Sequence, residues 1–247
     1  MTINIEKLKQ HIAEAKNIVI LTGAGISAES GVPTFRDVLT GLWAQFDPEE
    51  LATPEAFQRD KALVWGWYEW RRKMLLNAKP NPAHFAIAQL QSEGKNVTLV
   101  TQNVDDLHEQ AGSKEVIHVH GSIYKPRCFD CSAPYQFTAP PTIEVEQSLT
   151  PPTCDTCGGS VRPGVVWFGE AMPMHELKHA VDAIDQCDLL LSIGTSGLVY
   201  PVAMFPTRAA EKGAIVIHVN LEPFDTRYPN SYTLQGKAGE VLPLLVE

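Results

Sequence analysis

The chain has 247 residues, enough to bury a sizeable core as one domain with a small insertion. Its 44% hydrophobic and 20% charged residues are ordinary for a soluble globular protein. Twenty Lys and Arg against 29 Asp and Glu leave a net charge of −9, which argues against a nucleic-acid surface and suits an enzyme acting on basic protein segments. Residues Met1 to Lys9 carry no apolar signal core, and no run reaches the length of a membrane span, so a cytoplasmic protein is expected.

Ile5, Leu8, Ile12 and Ala15 recur at helical spacing, which predicts an amphipathic helix over residues 4 to 16. The apolar run Ile18 to Leu21 then reads as a strand buried on both faces. Gly23, Gly25, Ser27, Ser30 and Gly31 follow it. Small residues between a buried strand and a helix start let backbone amides approach a phosphate, so this turn is a nucleotide-site candidate. The match to G-x-G-x-x-G is partial, because Ala28 stands at the third glycine, and a tight turn without a ligand is the plainer alternative.

Further strand-like runs lie at Asn96–Thr101, Val116–Val119, Val165–Phe168, Asp188–Ile193 and Ala214–Asn220. Helix-period segments fall between them, at Ala83–Glu93, Val104–Gly112, Met174–Gln186, Pro201–Lys212 and Gly239–Val246. This alternation predicts an α/β fold with a doubly wound, parallel, Rossmann-like sheet. Two stretches break the rhythm. Residues 38–80 are rich in tryptophan and helix formers, and residues 124–161 hold cysteines and prolines. The expected division is a sheet domain from 1–37, 81–123 and 162–247, a helical insertion at 38–80 and a metal-binding module at 124–161.

Four of the five cysteines form two pairs, Cys128-x-x-Cys131 and Cys154-x-x-Cys157, separated by 22 residues. Two such pairs supply four thiolates in tetrahedral geometry, the arrangement of a closed structural zinc site. Redox dithiols are the alternative, disfavoured because neither pair opens a helix after a strand. Cys187 reads as a core residue. His175-Glu176-Leu177-Lys178-His179 matches the H-E-x-x-H pattern of zinc proteases. At about 100° per residue, however, Leu177, Ala180, Val181 and Ile184 make the apolar face and both histidines point away from it. The motif is therefore read as coincidence.

Several polar groups sit at predicted strand ends. Gln102, Asn103 and Asp105 follow one strand, although Asn103 could equally be a plain helix cap. His118 and His120 share one face of the next, and Gly121 keeps the backbone open beside His120, the better general-base candidate. Gly194-Thr195-Ser196 and Asn220-Leu221-Glu222 end two more strands. Alone, each is ordinary turn chemistry.

Taken in order, Gly-Ala-Gly-Ile-Ser, Gly-Val-Pro-Thr-Phe-Arg-Asp, Thr-Gln-Asn-Val-Asp, His-Gly, the two cysteine pairs, Val-Val-Trp-Phe-Gly-Glu, Gly-Thr-Ser and Asn-Leu-Glu-Pro resemble the sirtuins, the NAD-dependent protein deacylases, from about Ile18 to Ala238. The resemblance implies that Gly23, Ala24, Gly25, Ser27, Phe35 and Arg36 hold the NAD phosphates and cover the nicotinamide end. Gln102, Asn103 and Asp105 would line the ribose and nicotinamide pocket, with His120 as general base. Gly194, Thr195, Ser196, Asn220, Leu221, Glu222 and Ala238 would bind the adenosine half. Val165, Val166, Phe168, Gly169 and Glu170 would pair by backbone with the substrate peptide. NAD would be consumed: the acyl-lysine oxygen displaces nicotinamide, and the acyl group leaves on ADP-ribose. One structural zinc would sit on Cys128, Cys131, Cys154 and Cys157. The implied partners are acylated lysines of proteins, with neither membrane nor nucleic acid. The sequence sets no oligomeric state and is compatible with a monomer.

Between Ala62 and Leu76, Val64, Tyr68, Arg71 and Leu75 fall on one helix face. An arginine on an apolar stripe wants an anion. An internal salt bridge or a snorkelling side chain would satisfy it. Tyr68-x-x-Arg71 also resembles the pair of the sirtuin class that removes succinyl and malonyl groups, and a guanidinium matches a carboxylate bidentately. The expected activity is removal of acetyl, succinyl and malonyl groups. ADP-ribosyl transfer at the same site, a nicotinamide-dependent dehydrogenase and a zinc-stabilised binding module are the rival readings.

Overall fold

In the computed structural model the described residues are 5–33, 47, 51–144, 147–224 and 227–246. Helix α1 (Ile5–Glu14) buries Leu8 and Ile12 and leads into strand β1 (Asn17–Thr22), which is buried at every position after the first. The next backbone forms two single 3-10 turns, Ala24–Ile26 and Ala28–Ser30. The helix expected to start directly behind the glycines is replaced by these turns. Bonds from Ile26 N–H to Gly23 C=O and from Ser27 N–H to Ala24 C=O tighten the chain there.

Two helices pack as a pair, α2 (Pro54–Arg59) and α3 (Lys61–Asn77). Thr53 Oγ1 accepts from Ala56 N–H and Asp60 Oδ1 from Leu63 N–H, so each helix starts on a side-chain cap. α4 (Pro82–Ser92) opens on a capping box between Asn81 and His84 and delivers the chain to β2 (Asn96–Thr101). Then come a single helical turn, α5 (Leu107–Gln110), and the short strand β3 (Ile117–His118). Strands β4 (Arg127–Cys128) and β5 (Val161–Arg162) make a separate antiparallel ladder. The chain returns through α6 (Met174–Gln186), β6 (Leu189–Ile193), α7 (Phe205–Glu211), β7 (Ile215–Asn220), β8 (Ser231–Gln235) and α8 (Ala238–Val246).

The main sheet has the order β3-β2-β1-β6-β7-β8, and every pairing is parallel. The doubly wound sheet is as expected. Helices α1, α4 and α8 cover one face through Leu8, Ile12, Ile87, Leu90 and Leu242. α6 and α7 cover the other through Ala180, Ile184, Phe205 and Ala209. A third cluster lies off the sheet, where Phe57, Val64, Trp67 and Tyr68 meet Leu107, Ile123, Val165 and Trp167. Strand order reverses between β1 and β6. In such sheets the crevice at the carboxyl ends of those two strands is where ligands bind.

Further differences from the sequence expectations lie elsewhere in the chain. Val165–Phe168 is not a strand of the sheet. Val165 makes one antiparallel bridge to Gly121, and its neighbours' apolar bulk goes into the third cluster. The edge strand β8 was not foreseen, since Ser231–Gln235 is half-buried and offers no apolar run. Val104–Gly112 also yields only the four-residue α5.

Candidate active site

The loops leaving β1 and β6 are laced together. Gly23 N–H donates to Ile193 C=O and Gly25 N–H to Gly194 C=O, each at 3.0 Å. A Cβ on Gly25 would lie 2.8 Å from Gly194 Cα, so the glycines are needed first for the approach of two backbones. This narrows the phosphate reading: the amides of Gly23 and Gly25 are already engaged within the protein. Behind them Ser27 Oγ donates to Asp105 Oδ2 and accepts from Asn103 Nδ2, both at 3.1 Å. Asn103 N–H in turn donates to Thr101 Oγ1, which lies 2.8 Å from Thr22 Oγ1. Ser27, Asn103 and Asp105 are all buried. Burial pushes the Asp105 carboxyl above its ordinary range, against the hydrogen bonds from Leu107 N–H and Ser27.

His118 and His120 extend from β3 towards the chain leaving β2, as their shared face requires. His120 Nδ1 is 3.2 Å from Gln102 C=O. A carbonyl only accepts, so Nδ1 carries the proton and Nε2 is left as the basic nitrogen. Burial lowers the His120 pKa, partly offset by that carbonyl, so the ring is neutral at pH 7. His118 differs. Its Nδ1 donates to Asn103 C=O at 3.1 Å and its Nε2 faces Glu109 Oε1 at 2.7 Å. Burial opposes a charge there, but the Glu109 carboxylate outweighs it and raises the His118 pKa.

At the ends of β6 and β7, Asn220 Nδ2 donates to Thr195 C=O at 2.9 Å, and Thr195 Oγ1 lies 3.0 Å from Ser192 Oγ. Ser196, Leu221 and Glu222 are exposed at the same edge. Ala238 is buried at the start of α8, whose Gly239 N–H donates to Glu29 Oε2 beside the glycine loop. Phe35 and Arg36 lie outside the described residues.

The segment from Val165 to Glu170 is held at several points. Val166 N–H donates to His120 C=O, Phe168 N–H to Ala52 C=O and Trp167 N–H to Glu170 Oε2. Gly169 is exposed, and so is the Phe168 ring, at 40%. Glu170 accepts from both terminal guanidinium nitrogens of Arg162, Nη1 and Nη2, which lowers its pKa against burial. Arg162 also stacks on the Trp167 ring, 3.4 Å from its centroid. The sequence reading passed over Trp167, Arg162 and Glu109. Opposite charges on either side of Pro163-Gly164 were the one available signal for the Arg162–Glu170 pair.

On α3 the apolar stripe is wider than its periodicity implied. Residues 64–69 are buried all round, and the deeply buried arginine is Arg72, at 4% exposure, paired with Glu69 by two hydrogen bonds. Arg71 is half-buried, with its guanidinium 5.2 Å from the Trp67 centroid, and its charge acts on the Tyr68 hydroxyl.

The four paired cysteines converge as spacing demanded, with all four Sγ atoms within 4.8 Å of one another. Cys128 and Cys157 are 3.5 Å apart, and Cys131 and Cys154 are 3.7 Å apart. A tetrahedron with Zn–S bonds of about 2.3 Å has sulfur edges of about 3.8 Å, so the set fits one structural zinc ion. N–H groups of Asp130, Cys131 and Gly159 point at these sulfurs, as suits thiolates. His175 and His179 form no such group with other ligands among the described residues. No helix among the described residues is long and apolar enough to cross a membrane.

Comparison with known proteins decides the family. The Sir2 family model matches residues 23–201. The chain belongs to the Sir2 family. Its Sir2 relatives include NAD-dependent protein deacylase 1 of Pseudomonas aeruginosa, 58% identical over 95% of both chains. Another is the NAD-dependent protein deacylase of Methylococcus capsulatus, 51% identical over 98% of this chain and 96% of the other. Among solved structures, a Sir2 homologue in complex with NAD superposes with a TM-score of 0.89 at 47% identity, covering 98% of this chain and 92% of that one.

Proposed function

We propose that this protein is an NAD-dependent protein-lysine deacylase that removes acetyl, succinyl and malonyl groups, releasing nicotinamide and O-acyl-ADP-ribose. The observation that carries the reading is His120: neutral, with its proton on Nδ1 against Gln102 C=O, which leaves Nε2 basic, while Asn103, the next residue after Gln102, belongs to the Ser27–Asn103–Asp105 cluster behind the glycine loop. That is the state a general base needs. NAD, when bound, supplies an electrophilic ribose carbon and nicotinamide as leaving group. Ser27, Gln102, Asn103 and Asp105 orient the nicotinamide half, His120 takes up a proton at Nε2, and Gly194–Ser196, Asn220–Glu222 and Ala238 hold the adenosine half. The peptide lies along 165–170. With the N–H groups of Val166, Trp167, Phe168 and Glu170 engaged internally, its pairing draws on carbonyls and on Gly169.

The acidic-acyl part rests on Tyr68 and Arg71, one turn apart on α3. Burial raises the Tyr68 pKa to about 12, against the Arg71 charge, so its hydroxyl stays protonated and can donate to a carboxylate. A reduced, cytoplasmic setting suits thiolate ligands, and helical insertion, zinc module and sheet are taken as the three units proposed from sequence.

The test is incubation with NAD and matched acetyl-, succinyl- and malonyl-lysine peptides, followed by mass spectrometry. Nicotinamide is expected in stoichiometric amount with free peptide, and His120→Ala is expected to abolish both. Arg71→Met should lower the succinyl-to-acetyl ratio of kcat/KM about 30-fold, which is ~2 kcal/mol for a hydrogen-bonded charge. An unchanged ratio would make Arg71 structural, and nicotinamide release without free peptide would favour ADP-ribosyl transfer.

A further inference from the structure

Tyr68 is 4% exposed and has one hydroxyl proton to give. Its oxygen lies 3.0 Å from Trp167 Nε1. An indole N–H can only donate, so Tyr68 Oη is the acceptor and its own proton must turn away from Trp167. A phenolic O–H prefers the plane of its ring, which leaves one favoured direction once the other is closed. The Trp167 N–H therefore selects the direction in which Tyr68 donates.

Trp167 is itself held rigidly enough to do this. Its ring is 2% exposed, with the Arg162 guanidinium 3.4 Å from its centroid and Phe57 and Phe129 packed at 5.4 and 6.4 Å. Its backbone N–H is fixed by Glu170 Oε2 at 2.9 Å, and the same carboxylate grips Arg162. One acidic side chain thus locks both the main chain of Trp167 and the cation stacked on its ring. Such rigidity in a supporting residue lets a binding group keep its orientation.

We propose that Trp167 is a specificity-determining positioning residue, which aims the Tyr68 hydroxyl as a hydrogen-bond donor towards a carboxylate-bearing acyl group. The inference rests on the acidic-acyl reading of Tyr68 and Arg71. An acetyl methyl offers nothing to accept this hydrogen bond, whereas a succinyl or malonyl carboxylate does. Packing of the indole ring serves every acyl chain alike, but its N–H serves the acidic ones.

The experiment compares wild type, Trp167→Phe, Tyr68→Phe and the double variant on succinyl- and acetyl-lysine peptides. Trp167→Phe keeps an aromatic ring between Arg162 and the phenylalanines and removes the donor. The succinyl-to-acetyl ratio of kcat/KM is expected to fall about tenfold in Trp167→Phe, mainly through KM for the succinyl peptide. The double variant is expected to fall no further than Tyr68→Phe alone. A ratio unmoved by Trp167→Phe, or a double variant whose loss is the product of the two single losses, overturns the inference while wild-type desuccinylation keeps the acidic-acyl reading intact. Wild type that releases acetyl but no succinyl or malonyl removes that reading and the inference with it. A second readout needs no Trp167 variant: the indole N–H proton resonance that moves in Tyr68→Phe should also move when succinyl-lysine peptide is added, more than with acetyl-lysine peptide. Equal movement with both peptides overturns the inference.

Discussion

His118 and His120 stand two residues apart and have their pKa values pushed in opposite directions, because one faces a carboxylate and the other does not. His118 is raised above its usual 6.5, so the stability it lends is complete below that value and is lost as pH rises through its folded pKa. Glu109 is held below 4.5, so its share is present above 4.5 and lost as pH falls. The pair is fully formed between about pH 4.5 and 6.5. With Glu109 partly exposed, screening limits it to under ~1 kcal/mol. Glu109→Gln is expected to lower the melting temperature by about 2 °C at pH 6 and by clearly less at pH 9. Equal losses at both pH values would show that the contact is not charge-assisted. Trp167, the residue the sequence hid best, shows why side-chain roles resist such reading. Its place in an apolar run says that it is buried. Which atom its N–H meets depends on α3, 99 residues earlier.

Elements were legible where the apolar pattern matched the faces that met the core. α6 shows its apolar stripe, and both of its histidines fall outside it, with His175 exposed on the helix surface. β1 shows an unbroken apolar run at Ile18–Leu21, and β6 one interrupted only by Ser192, because both faces are covered. α3 was harder. A helix packed against α2, against Phe137, Ile143 and Leu149, and against Trp167 buries most of its circumference, so periodicity chose Arg71 for the interior where packing chose Arg72. β8 and the run at Val165 erred in opposite directions, one an edge strand with little to bury, the other apolar bulk serving an aromatic cluster. The cysteine pairs were legible because ligand spacing is chemistry and not packing. Phe129, between Cys128 and Cys131, meets Phe57 at 5.2 Å and Trp167 at 6.4 Å. Cys154→Ser is therefore expected to lower bound zinc from one ion per chain, to reduce the melting temperature by about 10 °C and to weaken peptide turnover together. Full zinc content with an unchanged melting curve would refute the site.

Across the whole molecule, buried neutral histidines tie the sheet's switch point to its helical cover. His108 Nε2 lies 3.0 Å from Thr22 Oγ1, and its ring is 4.9 Å from that of His84 on α4. Burial lowers His84 to about 4 and His108 to about 3, and it lowers His218 on β7 to about 4. All three folded values lie below 6.5, so the unfolded chain binds more protons and stability falls as pH drops below 6.5. Each histidine contributes ~1.4 kcal/mol per pH unit until its folded value is reached. Reversible unfolding between pH 6.5 and 4.5 should show this slope, made shallower by His84→Gln. A flat profile would mean that these rings are protonated in the folded protein.

The cysteine ladder leaves the sheet at Gly121 and returns at Gly164, where Ser122 N–H donates to Gly164 C=O and Gly121 bridges Val165. The two ends of this excursion are thus joined by main chain to main chain before any side chain is counted. Closing a loop costs entropy that grows only slowly with its length, and here the stalk meets that cost locally. The stretches between the cysteine pairs that hold no ligand and no core contact can lengthen or shorten without changing the distance the chain must span at the neck. The constraint that survives such variation is at the neck, where Gly121 sits at φ 75° with its Cα too close to Gly164 C=O to carry a side chain. Length can vary between the cysteine pairs; a side chain cannot be added at the root.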